Sequence, residues 1–220
     1  MMTNLFSTFD PATSMKMSAN WISSIMYLMI IPMYYWKMNN RLTIMIKMMS
    51  KKLDLEFKTL MGKSKSMTLP FISLFMFIMM NNIMGLLPYI FTSSSHMTFS
   101  LTLALPLWLT LMIYGWTQKT NHMFLHLIPS GTPPILMPFM TLIETTSNII
   151  RPGSLAVRLT ANMIAGHLLM SLLGNNFMNM KLFPIILIIQ MMLMLFEMAV
   201  ALIQAYVFSV LMTLYSSEVI

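Results

Sequence analysis

Across the 155 residues from Ser66 to Ile220 only seven side chains carry a formal charge: Lys119, Glu144, Arg151, Arg158, Lys181, Glu197 and Glu218. A soluble fold needs a charged surface, and about a quarter of an ordinary domain's residues are charged. In this chain the charged fraction is 9% against 57% hydrophobic residues, and the mean hydropathy is +0.74. The chain is therefore read as an integral membrane protein. Uncharged apolar stretches of about 20 residues, the length of a spanning helix, then set its architecture: an all-α, polytopic fold.

Five spans are expected, in a single membrane domain covering residues 1–220. The first, 17–36, is uncharged to its end and carries Trp21 and Trp36 near its two ends, where interfacial aromatics sit; Pro32 kinks it. Residues 37–65 form a basic loop. The second span is 69–92 and the third 97–117, joined through Ser93-Ser94-Ser95-His96 as a hairpin. Residues 118–134 are polar and punctuated by Pro129, Gly131, Pro133 and Pro134, so they read as a connection. Two unusually long apolar stretches follow, 135–173 and 181–215, separated by the turn signal Gly174-Asn175-Asn176. At about 1.5 Å per residue each exceeds the roughly 30 Å hydrocarbon thickness, so both are expected to tilt strongly or bend.

The net charge of +7 is lopsided. Between Lys37 and Lys65 eight basic residues face two acids, 8 − 2 = +6, and the rest of the chain is nearly neutral. Such a patch can bind nucleic acid, but between long apolar segments it reads as a loop held on the positive-inside face, with no nucleic-acid partner. Leu42, Ile44, Met45, Ile46, Met48 and Met49 are interspersed with its lysines, so part of it is expected to be an amphipathic helix. Five spans then put the N-terminus outside and the C-terminus inside. Met1 to Met15 contains Asp10 and no arginine, unlike a transit or secretory signal. With no cysteine, a disulfide scaffold, an iron–sulfur cluster and thiolate zinc are excluded. His122 and His126 have metal-ligand spacing but no acidic or thiol third ligand near them in sequence. His96 and His167 do not supply the two histidine pairs of a haem b bundle. No phosphate-binding loop occurs. No cofactor is expected.

Glu144, Arg158 and Glu197 lie well inside the last two apolar stretches, with Arg151 and His167 close by. An ionisable group at membrane depth costs a few kcal/mol or more, and normally faces a partner or a water-filled cavity. A plain structural ion pair would explain Arg158, but spacing argues against one within its own helix. Glu144 is 14 residues earlier, about 21 Å, and His167 nine residues later, about 13 Å. Two proton-exchangeable groups thus lie on opposite sides, in depth, of a guanidinium that stays protonated under working conditions. A fixed cation repels a travelling proton and attracts a partner's carboxylate, which suits a gate between two half-channels. Gln190, Glu197 and Gln204 are seven apart and form one polar stripe on the last helix. Ala199, Ala201 and Ala205 lie near that stripe and allow close helix approach. Asn162 shares the Arg158 face. His167 could meet Glu197 from the neighbouring helix as a proton relay.

Several segments are similar to one known family. Leu155-Ala156-Val157-Arg158-Leu159-Thr160-Ala161-Asn162-Met163-Ile164-Ala165-Gly166-His167 resembles the signature of subunit a of the F-type ATP synthase, in its animal mitochondrial form. Ala201-Leu202-Ile203-Gln204-Ala205-Tyr206-Val207-Phe208 resembles that family's final-helix motif. Asn82-Ile83-Met84-Gly85-Leu86-Leu87-Pro88-Tyr89, Ala104-Leu105-Pro106-Leu107-Trp108 and the opening Met1-Met2-Thr3-Asn4-Leu5-Phe6 extend the likeness over the whole chain. The 31 methionines agree with AT-rich coding in which an isoleucine codon is read as Met, as in animal mitochondria.

The resemblance implies a proton-conducting stator in the mitochondrial inner membrane, packed against a rotating ring of small hairpin subunits (the c-ring), each with one mid-membrane carboxylate. Peripheral-stalk subunits, other small membrane subunits and lipid are its remaining implied partners. It implies that Arg158 faces the ring, with Asn162 and Gln204 as polar neighbours. His167 and Glu197 then belong to the inlet from the intermembrane space and Glu144 to the outlet towards the matrix, while Arg151 has no matched role. ATP chemistry would lie on other subunits. The rival expectation is a proton-translocating membrane subunit of a respiratory redox complex, which would favour intramembrane lysines. A stand-alone channel or carrier would favour internal pseudo-symmetry, and none is evident.

Overall fold

A computed structural model of the chain describes residues 5–14, 17–31, 38, 40–62, 67–128, 132–175 and 183–219. The described residues fold into seven α-helices: α1 (Ser23–Ile30), α2 (Arg41–Met61), α3 (Thr68–Gly85), α4 (Met97–Gln118), α5 (Thr120–Leu127), α6 (Met137–Asn175) and α7 (Phe183–Val219). Short 3-10 turns cover Leu5–Phe9, Ala19–Ile22 and Ser93–Ser95. Four helices, α3, α4, α6 and α7, are long and apolar enough to cross a membrane. The chain is an all-α polytopic membrane protein. Of the expected first span only the part up to Ile31 falls among the described residues, with α1 inside it; the rest, with Pro32 and Trp36, lies outside them.

The termini of three long helices fall within a few residues of the expected bounds; two other expectations are corrected, and the connection 118–134 holds a short helix without being a span. α3 stops at Gly85, seven residues before Thr92. Pro88 disfavours helical geometry at the residue before it, and Tyr89 turns into the left-handed region at φ 66°, so Leu86 to Thr92 is an apolar loop. The connection 118–134 contains the helix α5, on which His122 and His126 are exposed. Helix α6 runs on through Gly174 to Asn175, so no turn begins at Gly174. With 39 and 37 residues, α6 and α7 are each over 50 Å long, nearly twice the hydrocarbon thickness of about 30 Å.

Packing follows from where small residues recur. On α7, Ala201, Ala205, Ser209, Met212, Thr213 and Ser216 form one buried face, at the three- and four-residue steps that keep to one side of a helix. Small and hydroxyl residues let membrane helices approach closely. The hydroxyls do not strand a polar group: Ser209 donates to the Tyr206 carbonyl at 2.9 Å, and Thr213 and Ser216 donate to carbonyls three residues back at 2.7 Å. α7 packs chiefly on α3 and α6 chiefly on α4. Phe71, Phe75 and Ile78 of α3, Leu155 and Leu159 of α6, and Phe208 and Met212 of α7 meet in one core. Of the three alanines expected at the close approach, Ala201 and Ala205 are buried and Ala199 is exposed.

The amphipathic helix lies at one end of this bundle. α2 buries Leu53, Phe57 and Met61 in the same core, while Leu42, Met45 and Met48, earlier in the helix, remain exposed. Asp54 pairs with Lys58 and accepts a hydrogen bond from Thr68 at the start of α3, 2.6 Å. Tyr206 donates to Glu56 at 3.2 Å, and Ser216 contacts the Met61 sulfur at 3.6 Å. The basic segment is thus tied to the C-terminal half of α7. At the opposite end the loop after α3 is locked to the first stretch. Trp21 lies 5.2 Å from His96 and 5.7 Å from Phe91, and Ser23 donates to the Phe91 carbonyl at 3.2 Å.

Candidate functional site

Helices α6 and α7 run antiparallel, and cross-links between them fix the register: Arg151 with Glu218, Asn162 with Gln204, Gly166 with Glu197. From the first link to the second α6 advances 11 residues while α7 runs back 14, and from the second to the third 4 against 7, so polar groups lie at successive depths.

At the central level Asn162 donates its amide to the Gln204 side-chain oxygen, 2.9 Å. Gln204 is buried and Asn162 half-buried. Arg158, one turn away on α6, is exposed, and among the described residues it has no hydrogen-bond or ion-pair partner. Val157, Ala161 and Ala165 are exposed with it, whereas Leu155, Ala156, Leu159, Thr160 and Met163 are buried. The guanidinium therefore stands on a face of small and apolar residues turned away from the rest of the chain. Its charge has no counter-ion among the described residues, so a stable position in lipid requires water or a partner's carboxylate.

Towards one end of α7, seven residues or about 10 Å from Gln204, Glu197 is 7% exposed. It too has no hydrogen-bond or ion-pair partner among the described residues. Its carboxylate occupies the space where a side chain on Gly166 would be; a methyl there would overlap both of its oxygens. Next along α6 is His167, whose ring meets Phe9 edge-to-face at 6.1 Å and whose Nε2 has no hydrogen-bond partner. The structure brings Glu197 beside His167's neighbour without joining the two: no His167–Glu197 ion pair occurs among the described residues. His167 and Gln190 border a cavity of about 820 Å³ at this end of the bundle.

Towards the other end the arrangement reverses. Arg151 donates to Glu218 at 2.8 Å and to Glu144 at 3.5 Å, and its guanidinium lies 5.0 Å over the Tyr215 ring. Glu144 is thus held in an ion-pair cluster, at the end where α2 packs. Two members of the site were not picked out by their residue types. Glu218 continues the Gln190, Glu197, Gln204 stripe two further steps of seven, a periodic signal that could have identified it. Gly166 has no such signal, because what it does depends on a residue 31 positions later.

Among the described residues no three His, Cys, Asp or Glu side chains cluster as a metal site would require. What the arrangement can do is hold a cation midway between two sets of groups that exchange protons, with a cavity opening towards one set.

The family described as ATP synthase A chain matches residues 17–217. The chain is 59% identical to ATP synthase subunit a of Aedes aegypti, over 225 aligned residues that cover all of both chains. It is likewise 59% identical over 223 residues to that of Drosophila melanogaster and 58% over 225 to that of Anopheles gambiae, again covering all of each chain. With the match spanning nearly its whole length, the chain belongs to the ATP synthase A chain family.

Proposed function

We propose that this chain conducts protons for an ATP synthase through two half-channels separated by Arg158. Family membership makes it a membrane-sector subunit of that enzyme; the division of labour among its residues is the finer reading. In that reading the end bearing α2 faces the matrix, since a basic segment is retained on the positive-inside face. The end bearing the cavity, His167 and Glu197 faces the intermembrane space and is the inlet. Glu144 lies at the outlet.

The single observation that carries this is Arg158 between the two ends, exposed and without a partner among the described residues. A rotor carboxylate arriving ionised beside it finds a counter-charge at membrane depth. Protonated from the Glu197 and His167 side, it becomes neutral and moves through lipid cheaply, because the penalty on a charge is removed. After its circuit it releases the proton towards Glu144 and is ionised again beside Arg158. Protons cannot pass straight between the two ends, because the guanidinium repels them. Asn162 and Gln204, bonded to each other, fix the spacing of α6 and α7 at the gate. Each proton crossing a 100 mV potential contributes about 2.3 kcal/mol, so several must pass for each ATP made on other subunits.

The sequence has no cysteine, so a single Ala161→Cys or Ala165→Cys provides one unambiguous labelling point on the Arg158 face. Cross-linking in the mildly extracted complex is expected to capture the small rotor subunit. Exclusive capture of lipid, or of flavin and iron–sulfur proteins, would overturn the assignment.

A further inference from the structure

The cavity of about 820 Å³ is walled by three parts of the chain, one of them the loop after α3 with Tyr89. The inner wall carries His167 and Gln190; the outer wall is the N-terminal segment, with Phe9 and Asp10. At roughly 30 Å³ per water molecule the space is ample for a hydrated vestibule. Asp10 is exposed, and its position is fixed from two directions. The preceding ring, Phe9, packs edge-to-face on His167, and Asn20 donates to the Asp10 backbone carbonyl at 3.0 Å. The carboxylate accepts the Ala12 N–H at 3.0 Å, which fixes its direction, and it has no ion-pair partner among the described residues. Among the described residues, the titratable groups lining the cavity are Asp10, Tyr89 and His167. No lysine or arginine is among them, so the described part of the wall does not neutralise the acid.

We infer that Asp10 is the proton-collecting carboxylate at the mouth of the inlet. A lone negative charge at the opening of a low-dielectric cavity focuses the local field and raises the concentration of cations there. Protons gathered at Asp10 pass through cavity water as far as the wall that His167 forms, whose Nε2 is itself buried and unbonded, with no bond made or broken other than to the proton. This rests on the inlet reading above, and adds to it a residue from a segment that otherwise only covers the cavity.

Collection limits the rate only when protons are scarce. In the reconstituted whole complex, ATP synthesis is therefore measured against pH on the inlet side for wild type, Asp10→Asn and Asp10→Lys, with assembly checked on native gels. Asparagine keeps the oxygen that accepts the Ala12 N–H and removes only the charge. At the alkaline end Asp10→Asn is expected to be about two- to threefold slower, the scale of one unit charge acting through water over about 8–10 Å. Asp10→Lys should be slower still. All three curves should converge at the acid end, and added salt should shrink the gap by screening. Superimposable curves at low salt overturn the assignment, and Asp10→Asn alone decides if the lysine variant does not assemble. Glu197→Gln, run alongside, separates the two levels of failure. If it is slowed while the Asp10 variants match wild type, only the mouth is wrong. If it too matches wild type, the inlet reading falls.

Discussion

Arg151 and Arg158 are the same residue type, seven positions apart on one helix, and they live in opposite circumstances. Arg151 binds two carboxylates, Glu144 and Glu218, and lies over Tyr215. Arg158 is exposed, with no partner among the described residues. Seven residues is nearly two turns, a drift of only about 20°, so helix phase does not separate them. What separates them is the opposite helix: α7 places Glu218 at the level of Arg151, but at the central level it offers Gln204, which Asn162 already engages. The chain thus neutralises one arginine internally and leaves the other to be neutralised from outside. A cation held by its own chain ties two helices together, whereas one without an internal partner can exchange partners repeatedly.

The largest expected effect tests that distinction directly. Arg158→Gln should abolish proton-driven ATP synthesis while the subunit stays in the assembled complex, as judged by native gels and by ATP hydrolysis in detergent. Arg158→Lys keeps the charge but replaces the planar fork with a strongly hydrated point charge, and should leave synthesis severely reduced. Near-normal synthesis in the glutamine variant would remove the basis for a gate.

Next is Gly166→Ala, whose methyl competes for the space of the Glu197 carboxylate. Overpacking of this kind costs about 1–3 kcal/mol, and if the strain is relieved by displacing the acid, synthesis should drop roughly tenfold, the equivalent of 1.36 kcal/mol in a barrier. Pairing it with Glu197→Asp, which withdraws the carboxylate by one methylene, should recover part of the loss. A Gly166→Ala variant with wild-type synthesis would show that the carboxylate's seat does not matter. Glu197→Gln should be milder, slowing proton uptake severalfold without creating a leak; the scale is that of a positioned acid or base group with other donors still present, at or below roughly 10²-fold. Unchanged flux at a saturating gradient would count against it.

Much of the architecture could be read from uncharged length. Residues 97–117, 135–173 and 181–215 became Met97–Gln118, Met137–Asn175 and Phe183–Val219, because long apolar runs with few charges have little alternative to helix in a membrane protein. The end of α3 could not be read the same way. Leu86 to Phe91 is as apolar as a helix, and only Pro88 hints that the backbone departs there. Helix α5 was hidden because eight residues fall far below spanning length. At the site, Arg158, Glu197 and His167 drew notice as ionisable groups in apolar surroundings. The partnership of Arg151 with Glu218 joins residues 67 apart, and only an extension of the seven-residue stripe on α7 by two further steps would point towards it. In the sequence Asp10 bears only on targeting, because composition does not say which cavity a segment will border.

Arg151→Met probes the internally neutralised arginine. It leaves Glu144 and Glu218 facing each other without their cation, and removing one member of a paired set costs more than the pair contributes. The three side chains are 22–39% exposed, so the cost is discounted for solvent to about 1–2 kcal/mol. The subunit should dissociate from the heated complex at lower temperature, and Arg151→Met with Glu218→Gln should recover part of the difference. A heat-dissociation profile identical to wild type would show that the cluster is ornamental.

The smallest effect is expected at the anchoring of α2. Asp54 is held below the usual carboxylate range, first by its hydrogen bond to Lys58 and then by that from Thr68. An acid whose value is lowered in the folded state supports that state fully above its unfolded value, near 3.9 for Asp, and loses the contribution as pH falls through the lower folded one. The attachment of α2 to the start of α3 should therefore be indifferent to pH around neutrality and loosen only in strong acid. A spin label at Thr59, on the exposed side of α2, reads this as mobility. Wild type should stay rigid from neutral pH down to the carboxylate range and then loosen, whereas Asp54→Asn should be slightly more mobile throughout and show a smaller change in acid. The two traces coinciding at every pH would mean that Leu53, Phe57 and Met61 hold α2 in place without help from the ion pair.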